Sequence, residues 1–233
     1  MTLPPTSRVA ALVPAAGQGV RLAAGMPKAF VPLRGRPLVW HCVQGLLASG
    51  CIQVVVVAVG AQYHDVARAA LAEAGDQVRI VTGGRQRSDS VRAALHTVPD
   101  ADVVVVHDAA RCLTPISVIQ AVVQAVLAGA PAVVPVLTVV DTIKQVDADG
   151  CVVRTVDRSE LRAVQTPQGF AADLLRRAHQ SAPALVTDDA GLVEALGVPV
   201  TTLSGHPHAF KITTPFDLAI AEMLTGAQAG DQA

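Results

Sequence analysis

Val9-Ala10-Ala11-Leu12-Val13-Pro14-Ala15-Ala16-Gly17-Gln18-Gly19-Val20-Arg21-Leu22 is the stretch on which the fold turns. Its first five residues are apolar without polar alternation, which marks a strand buried on both faces, as in a parallel sheet. The run follows Arg8 and superficially resembles a secretion signal, but it is short, contains Pro14 and enters a glycine loop directly, so a first buried strand is the better reading. A loop at the carboxyl end of such a strand is where open α/β sheets carry ligands. Its small residues, Ala15, Ala16, Gly17 and Gly19, let backbone N–H groups approach phosphate oxygens. Arg21 follows, then Lys28 after Pro27. Two cations beside a glycine loop fit a triphosphate. The alternative is a tight strand-to-helix turn. Leu22 occupies the place of the third dinucleotide-fingerprint glycine, and no Gly-Lys-Ser/Thr closes a Walker loop.

Similar Val-rich runs recur at Ile52–Val59, Val78–Val81, Val103–Val106 and Ala132–Val136. Helical patterns separate them at Pro37–Ser49, His64–Ala74, Asp89–His96 and Pro115–Leu127. The alternation predicts a doubly wound, Rossmann-like, mostly parallel α/β sheet. Thr142–Val146 and Cys151–Val156 flank an Asp-Ala-Asp-Gly turn and read as a protruding β-hairpin arm within about 141–165. Helices follow at Ala171–Gln180 and Ala190–Leu196, then a strand at Val200–Leu203 and a last helix at Pro215–Leu224. The small, polar end at 226–233 is expected to be a flexible tail, leaving 1–225 as a single domain.

Hydrophobic residues make up 51% of the 233, and charged residues only 16%, which excludes a disordered or fibrous chain. Aromatics at 3% leave the core to Val, Ala and Leu. A net charge of -1 without a basic run argues against binding a nucleic-acid polymer. Cys42, Cys51, Cys112 and Cys151 have neither C-x-x-C nor zinc spacing, so they read as reduced thiols of a cytoplasmic protein. No apolar stretch has transmembrane length.

Three further blocks are chemically suggestive. Gly83-Gly84-Arg85-Gln86-Arg87-Ser88-Asp89-Ser90 follows the third strand, where Asp or Ser can cap the next helix. A cap explains the serines, but not two glycines together with arginines. His107-Asp108-Ala109-Ala110-Arg111 ends the fourth strand. Asp108 is placed for a ribose or a metal-bound phosphate, or else caps a helix and pairs with Arg111. His107 reads as a structural histidine. The polar residues flanking the arm, and Thr166 after it, read on their own as exposed hairpin positions.

Pro-Ala-Ala-Gly-x-Gly-x-Arg with a following Pro-Lys resembles the nucleotide-binding signature of the sugar-nucleotide pyrophosphorylase and cytidylyltransferase superfamily. Leu22 replaces a commoner Met, and Ala29 a frequent Gln. The blocks between residues 9 and 224, taken together and in order, resemble the methylerythritol phosphate cytidylyltransferase family. That resemblance implies transfer of CMP from CTP to a sugar-alcohol phosphate, with Mg²⁺ bridging phosphate oxygens and Asp108 as a tentative support. It implies transition-state contacts from Arg21 and Lys28, and cytosine selection by Gly83, Gly84, Arg85 and Ser90. It places the acceptor phosphate on Arg158 and Lys211, with Ala109, Arg111, Thr142, Thr166 and Thr187 nearby. It also implies a homodimer in which the arm crosses to the second subunit. A ribitol 5-phosphate cytidylyltransferase, a non-catalytic nucleotide-binding module and an NAD-dependent dehydrogenase remain as alternatives, the last weakened by Leu22.

Overall fold

A computed structural model describes residues 7–17, 26–181 and 187–230, with 227–230 as backbone only. The first strand, β1 (Val9–Pro14), runs parallel to β4 (Val54–Val59) on one side and β6 (Val103–Val106) on the other. Strand β5 (Val78–Thr82) extends the sheet beyond β4, also parallel. Strand order therefore reverses across β1 and β6, and a crevice at their carboxyl ends is the expected ligand position.

The runs of β1, β4 and β6 are buried on both faces, whereas the edge strand β5 is only half-buried, and their pleat splits them between two cores. Val9, Ala11 and Val13 point into one, with Leu38, Val43 and Leu46 of α1 (Leu38–Ala48), Ala67 of α2 (His64–Ala70) and Val122 of α4 (Ile116–Leu127). Ala10 and Leu12 point into the other, with Val91 and Leu95 of α3 (Arg87–Leu95), Leu175 of α5 (Ala172–Gln180) and Val193 of α6 (Asp189–Glu194). Burying a Val or Leu contributes roughly 1.5–3 kcal/mol, so many medium-sized side chains supply the core that aromatics do not.

The sheet departs from the simple alternation in its second half. The fifth Val-rich run, β7 (Ala132–Thr138), is not a direct neighbour of β6. Antiparallel β11 (Gln168–Ala171) lies between them. Antiparallel β10 (Arg162–Val164) and parallel β12 (Thr201–Ser204) also pair with β7. The strand β11 carries Gly169 because a Cβ there would stand 2.6 Å from Val122 Cγ1. Residues 165–170 are thus buried, whereas their polar sequence suggests an exposed hairpin end. A two-stranded ribbon of Pro32–Leu33 and Arg36–Pro37, β2 and β3, has no counterpart among the strands expected from sequence.

The arm is present as β8 (Ile143–Val146) and β9 (Val152–Val156), an antiparallel pair forming a sheet of its own. The last helix, α7, runs from Pro215 to Gly230, past the expected end at Leu224. Residues 231–233 of the expected tail lie outside the described residues. Among the described residues, no helix is long and apolar enough to cross a membrane. Cys42, Cys51 and Cys112 are buried, Cys151 is exposed, and all four are unbridged.

Candidate active site

Three strand ends converge on one cleft. Pro14–Gly17 leaves β1, and Ala15 N–H donates to the Ala58 carbonyl at 2.7 Å, which fixes the start of the loop. Gly83 leaves β5 and donates to the Val59 carbonyl at 2.7 Å. A Cβ on Gly83 would lie 2.8 Å from Ala16 Cβ, so glycine lets these two loops meet. A Cβ on Gly84 would lie 2.1 Å from Asp89 Cβ. Buried Ser90 closes the turn: its hydroxyl accepts from Gly84 N–H at 3.2 Å and donates to the Gln86 carbonyl at 3.3 Å. The cap resides one turn earlier than expected, with Asp89 accepting from Gln86 N–H at 3.1 Å.

Together these loops line a cavity of about 230 Å³ with Lys28, Arg85, Arg87, Asp108, Ala109 and Lys211. Lys28 is carried by a short turn, Lys28–Phe30, whose Ala29 and Phe30 are buried. Gly19 and Arg21 lie outside the described residues.

Asp108 is the electrostatic centre. Its Oδ2 is 2.8 Å from Lys211 Nζ and 3.8 Å from Arg111 Nε. Its Oδ1 is 3.1 Å from Arg87 Nε. Burial opposes its ionisation, but Arg87 and Lys211, with Arg111, outweigh burial and hold the carboxyl well below the usual range. The pairing with Arg111 anticipated from sequence is therefore one of three. Thr166 secures the strand end, its hydroxyl accepting from Asp108 N–H at 3.0 Å and lying 2.9 Å from His107 Nδ1. His107 is fully enclosed, and burial pushes its imidazole down to about 4, which makes it the structural histidine expected from sequence.

A second cavity, about 240 Å³, opens on the other side of the same wall, lined by Arg111, Thr166, Gln168, Thr187 and Asp188 together with Arg87, Asp108 and Lys211. Its frame is built by buried glutamines. Gln168 donates to Asp188 Oδ2 at 2.7 Å and accepts from Ala190 N–H at 3.2 Å. Gln165 exchanges two 3.0 Å bonds with the His206 backbone. Asp188 caps α6 by accepting from Gly191 N–H at 3.0 Å. Arg111 is held by the carbonyls of Ala209 and Val164 at 2.7 and 3.3 Å. Its buried Nε has no hydrogen-bond partner among the described residues.

Most of the expected residues thus meet in one place. Ala109 lines the first cavity and not the second. Ala109–Arg111 forms a 3₁₀ turn, in which successive side chains diverge. Thr142 and Arg158 sit on or beside the exposed arm and line neither cavity. Arg158 donates to the Val140 carbonyl at the base of the arm. The charged residue of both cavities that sequence reasoning misses is Arg87. Its only signal is its place as the second arginine of the glycine block. A larger cavity, about 430 Å³, lies between α3 and α5. None of the motif loops reaches it, so size alone does not locate the site.

Two cavities sharing Arg87, Asp108 and Lys211 at a sheet's switch point suit a transferase that brings two anionic ligands together. Residues 9–226 match the family model described as 2-C-methyl-D-erythritol 4-phosphate cytidylyltransferase. A relative of that name from Saccharopolyspora erythraea is 60% identical over 238 residues, covering 92% of this chain and 97% of the relative. One from Nocardia farcinica is 56% identical over 221 residues, 95% of each chain. The crystal structure of the Thermus thermophilus enzyme of that name superposes with a TM-score of 0.75 at 35% identity, covering 94% of this chain and 99% of that one. The chain belongs to the 2-C-methyl-D-erythritol 4-phosphate cytidylyltransferase family and is a cytidylyltransferase.

Proposed function

We propose that the two cavities divide the family's reaction between them: CTP enters the first, and the phosphate of 2-C-methyl-D-erythritol 4-phosphate enters the second. The observation that carries this division is the shared wall of Arg87, Asp108 and Lys211. A phosphate oxygen of the acceptor attacks the α-phosphorus in line. The new P–O bond forms as the bond to the β-phosphate oxygen breaks, and pyrophosphate leaves with the electron pair. The nucleophile is already anionic, so no general base is needed. The obstacle is bringing two polyanions together, and positioning with fixed positive charge is the remedy. Lys28 would neutralise charge on the α-phosphate and leaving group, a role the sequence motif gives to Arg21 as well. Lys211 and Arg111 hold the acceptor phosphate, and an oxygen there would satisfy the buried Arg111 Nε.

Asp108 is the one carboxylate lining the nucleotide cavity among the described residues. A single carboxylate fits a Mg²⁺ held mainly by triphosphate oxygens and water rather than caged by protein. Bound there, Mg²⁺ would supply charge neutralisation of the phosphates. Asp108, whose two oxygens already engage Arg87 and Lys211, would support it indirectly rather than as a ligand.

Cytosine differs from uracil by a donor in place of an acceptor at position 4. The narrow turn at Gly83–Ser90, built around backbone groups, supports discrimination by hydrogen bonding. CTP should be used much faster than UTP when pyrophosphate release is followed at matched concentrations. Equal rates would remove base reading from this loop. The same assay with 2-C-methyl-D-erythritol 4-phosphate and ribitol 5-phosphate tests the acceptor.

The arm supports a closed two-fold homodimer. Val140, Val146, Val152 and Val153 are each more than half exposed in one subunit, and an isolated two-stranded ribbon is marginal in water. Seating the arm on a second copy would bury them and bring Arg158 and Thr142 to the partner's acceptor cavity. Mixing inactive Arg158→Ala with inactive Lys28→Ala protein should restore partial activity, because a mixed dimer regains one complete site. No recovery despite proven subunit exchange, or a monomer in sedimentation, rejects the shared site.

A further inference from the structure

The wall between the cavities is braced from behind. His179 Nε2 lies 2.9 Å from Asp189 Oδ1. Asp189 Oδ2 accepts from Arg87 Nη1 at 2.5 Å, and Arg87 Nε donates to Asp108 Oδ1 at 3.1 Å. Asp108 Oδ2 then seats Lys211 Nζ at 2.8 Å. The Asp189 side chain is 1% exposed and that of His179 4%. Burial opposes the ionised forms of Asp189 and Arg87 alike. Asp189 nonetheless keeps its carboxyl below the usual range through His179 and Arg87, and Arg87 keeps its charge through Asp189 and Asp108.

This geometry restricts what Arg87 does. A guanidinium is a planar fork whose donors can serve two carboxylates at once. With separate donors committed to Asp189 and to Asp108, Arg87 is not free to swing onto a phosphate. It instead fixes one oxygen of Asp108, leaving the other as the seat of the Lys211 ammonium. Lys211 is carried by an irregular segment after Pro207–Ala209 and is 43% exposed at its side chain, so its head group depends on that seat for its place.

We propose that Arg87, braced by Asp189 and His179, is a positioning residue for the transfer: it holds the Asp108 carboxylate and, through it, the Lys211 ammonium between the two phosphate-bearing substrates. The proposal rests on the division of the cleft given above. A displacement of about 1 Å at a reacting centre can cost on the order of 100-fold in rate.

The test is a double-mutant cycle between Arg87→Lys and Lys211→Ala, assayed with CTP and 2-C-methyl-D-erythritol 4-phosphate, with thermal midpoints measured for every variant. A lysine keeps the charge but lacks the planar fork that reaches the two carboxylates from separate nitrogens. Arg87→Lys should lower kcat by on the order of 100-fold and shift the KM for CTP less than about threefold. In the Lys211→Ala background, the same change should cost less than about threefold more, because the group it positions is gone. Equal losses in both backgrounds would make Arg87 a structural ion pair and overturn the proposal. Undiminished activity of Lys211→Ala alone would instead refute the reading of the cleft. Should Arg87→Lys fail to fold, Asp189→Asn, which keeps the shape but removes the bracing charge, enters the same cycle with the same expected non-additivity.

Discussion

Lys28→Ala should lower turnover on the order of 100- to 1000-fold while moving the KM for CTP far less. The charge of Lys28 is placed on a turn clamped by buried Ala29 and Phe30, beside the backbone loop proposed to receive the triphosphate. A fixed cation contributes most where negative charge grows during the reaction, on the α-phosphate and the departing pyrophosphate. Removing one such donor typically costs about 3–4 kcal/mol of transition-state stabilisation. Loss in kcat with little change in KM is the signature of a contact made mainly in the transition state. Arg21→Ala is expected to behave alike from its place in the sequence motif. Steady-state rates at saturating CTP decide the matter, with Lys28→Arg as the charge-conserving control. Near-normal turnover of Lys28→Ala would remove it from the mechanism.

What is legible in the sequence and what is not follow from the range of the interactions involved. The parallel strands are legible because burial on both faces leaves an unbroken β-branched run, as in Val103–Val106. The arm is legible from its turn. Strand β11 is not, because Gln168-Gly169-Phe170-Ala171 lacks that signature and owes its place to Gly169 fitting against Val122. The motif loops announce Lys28, Asp108 and Lys211, since phosphate chemistry needs cations and small residues close together. Arg87 is concealed because its partner Asp189 lies 102 positions away and itself depends on His179. Local pattern carries no trace of such a truss. Gln165 and Gln168 are hidden for a related reason: polar residues read as exposed until their bonding partners arrive from elsewhere in the chain.

The same buried polar groups should make the fold acid-labile in a defined order. His107 is held neutral by burial, its imidazole pushed down to about 4, whereas an unfolded histidine titrates at 6.5. As pH falls from about 6.5 to 4, the unfolded chain takes up a proton that the folded chain refuses. The linked stability is therefore present above that window and lost within it, by up to about 3 kcal/mol. Against a typical total of about 5–15 kcal/mol, this is a large fraction. Asp108 and Asp189 act at lower pH. Their carboxyls are held below the ordinary 3.8 in the fold, so the stability they contribute disappears as pH falls below about 4. Denaturant midpoints measured between about pH 7.5 and 4.5 isolate the first stage, because they span the histidine window and stop short of the carboxylates. Wild type should lose stability steadily below about 6.5. His107→Gln, which can still accept from the Thr166 hydroxyl but does not titrate, should be nearly flat there even if its starting stability is lower. A flat wild-type profile, or an equal slope in His107→Gln, would show that His107 is not the neutral, buried group this packing requires.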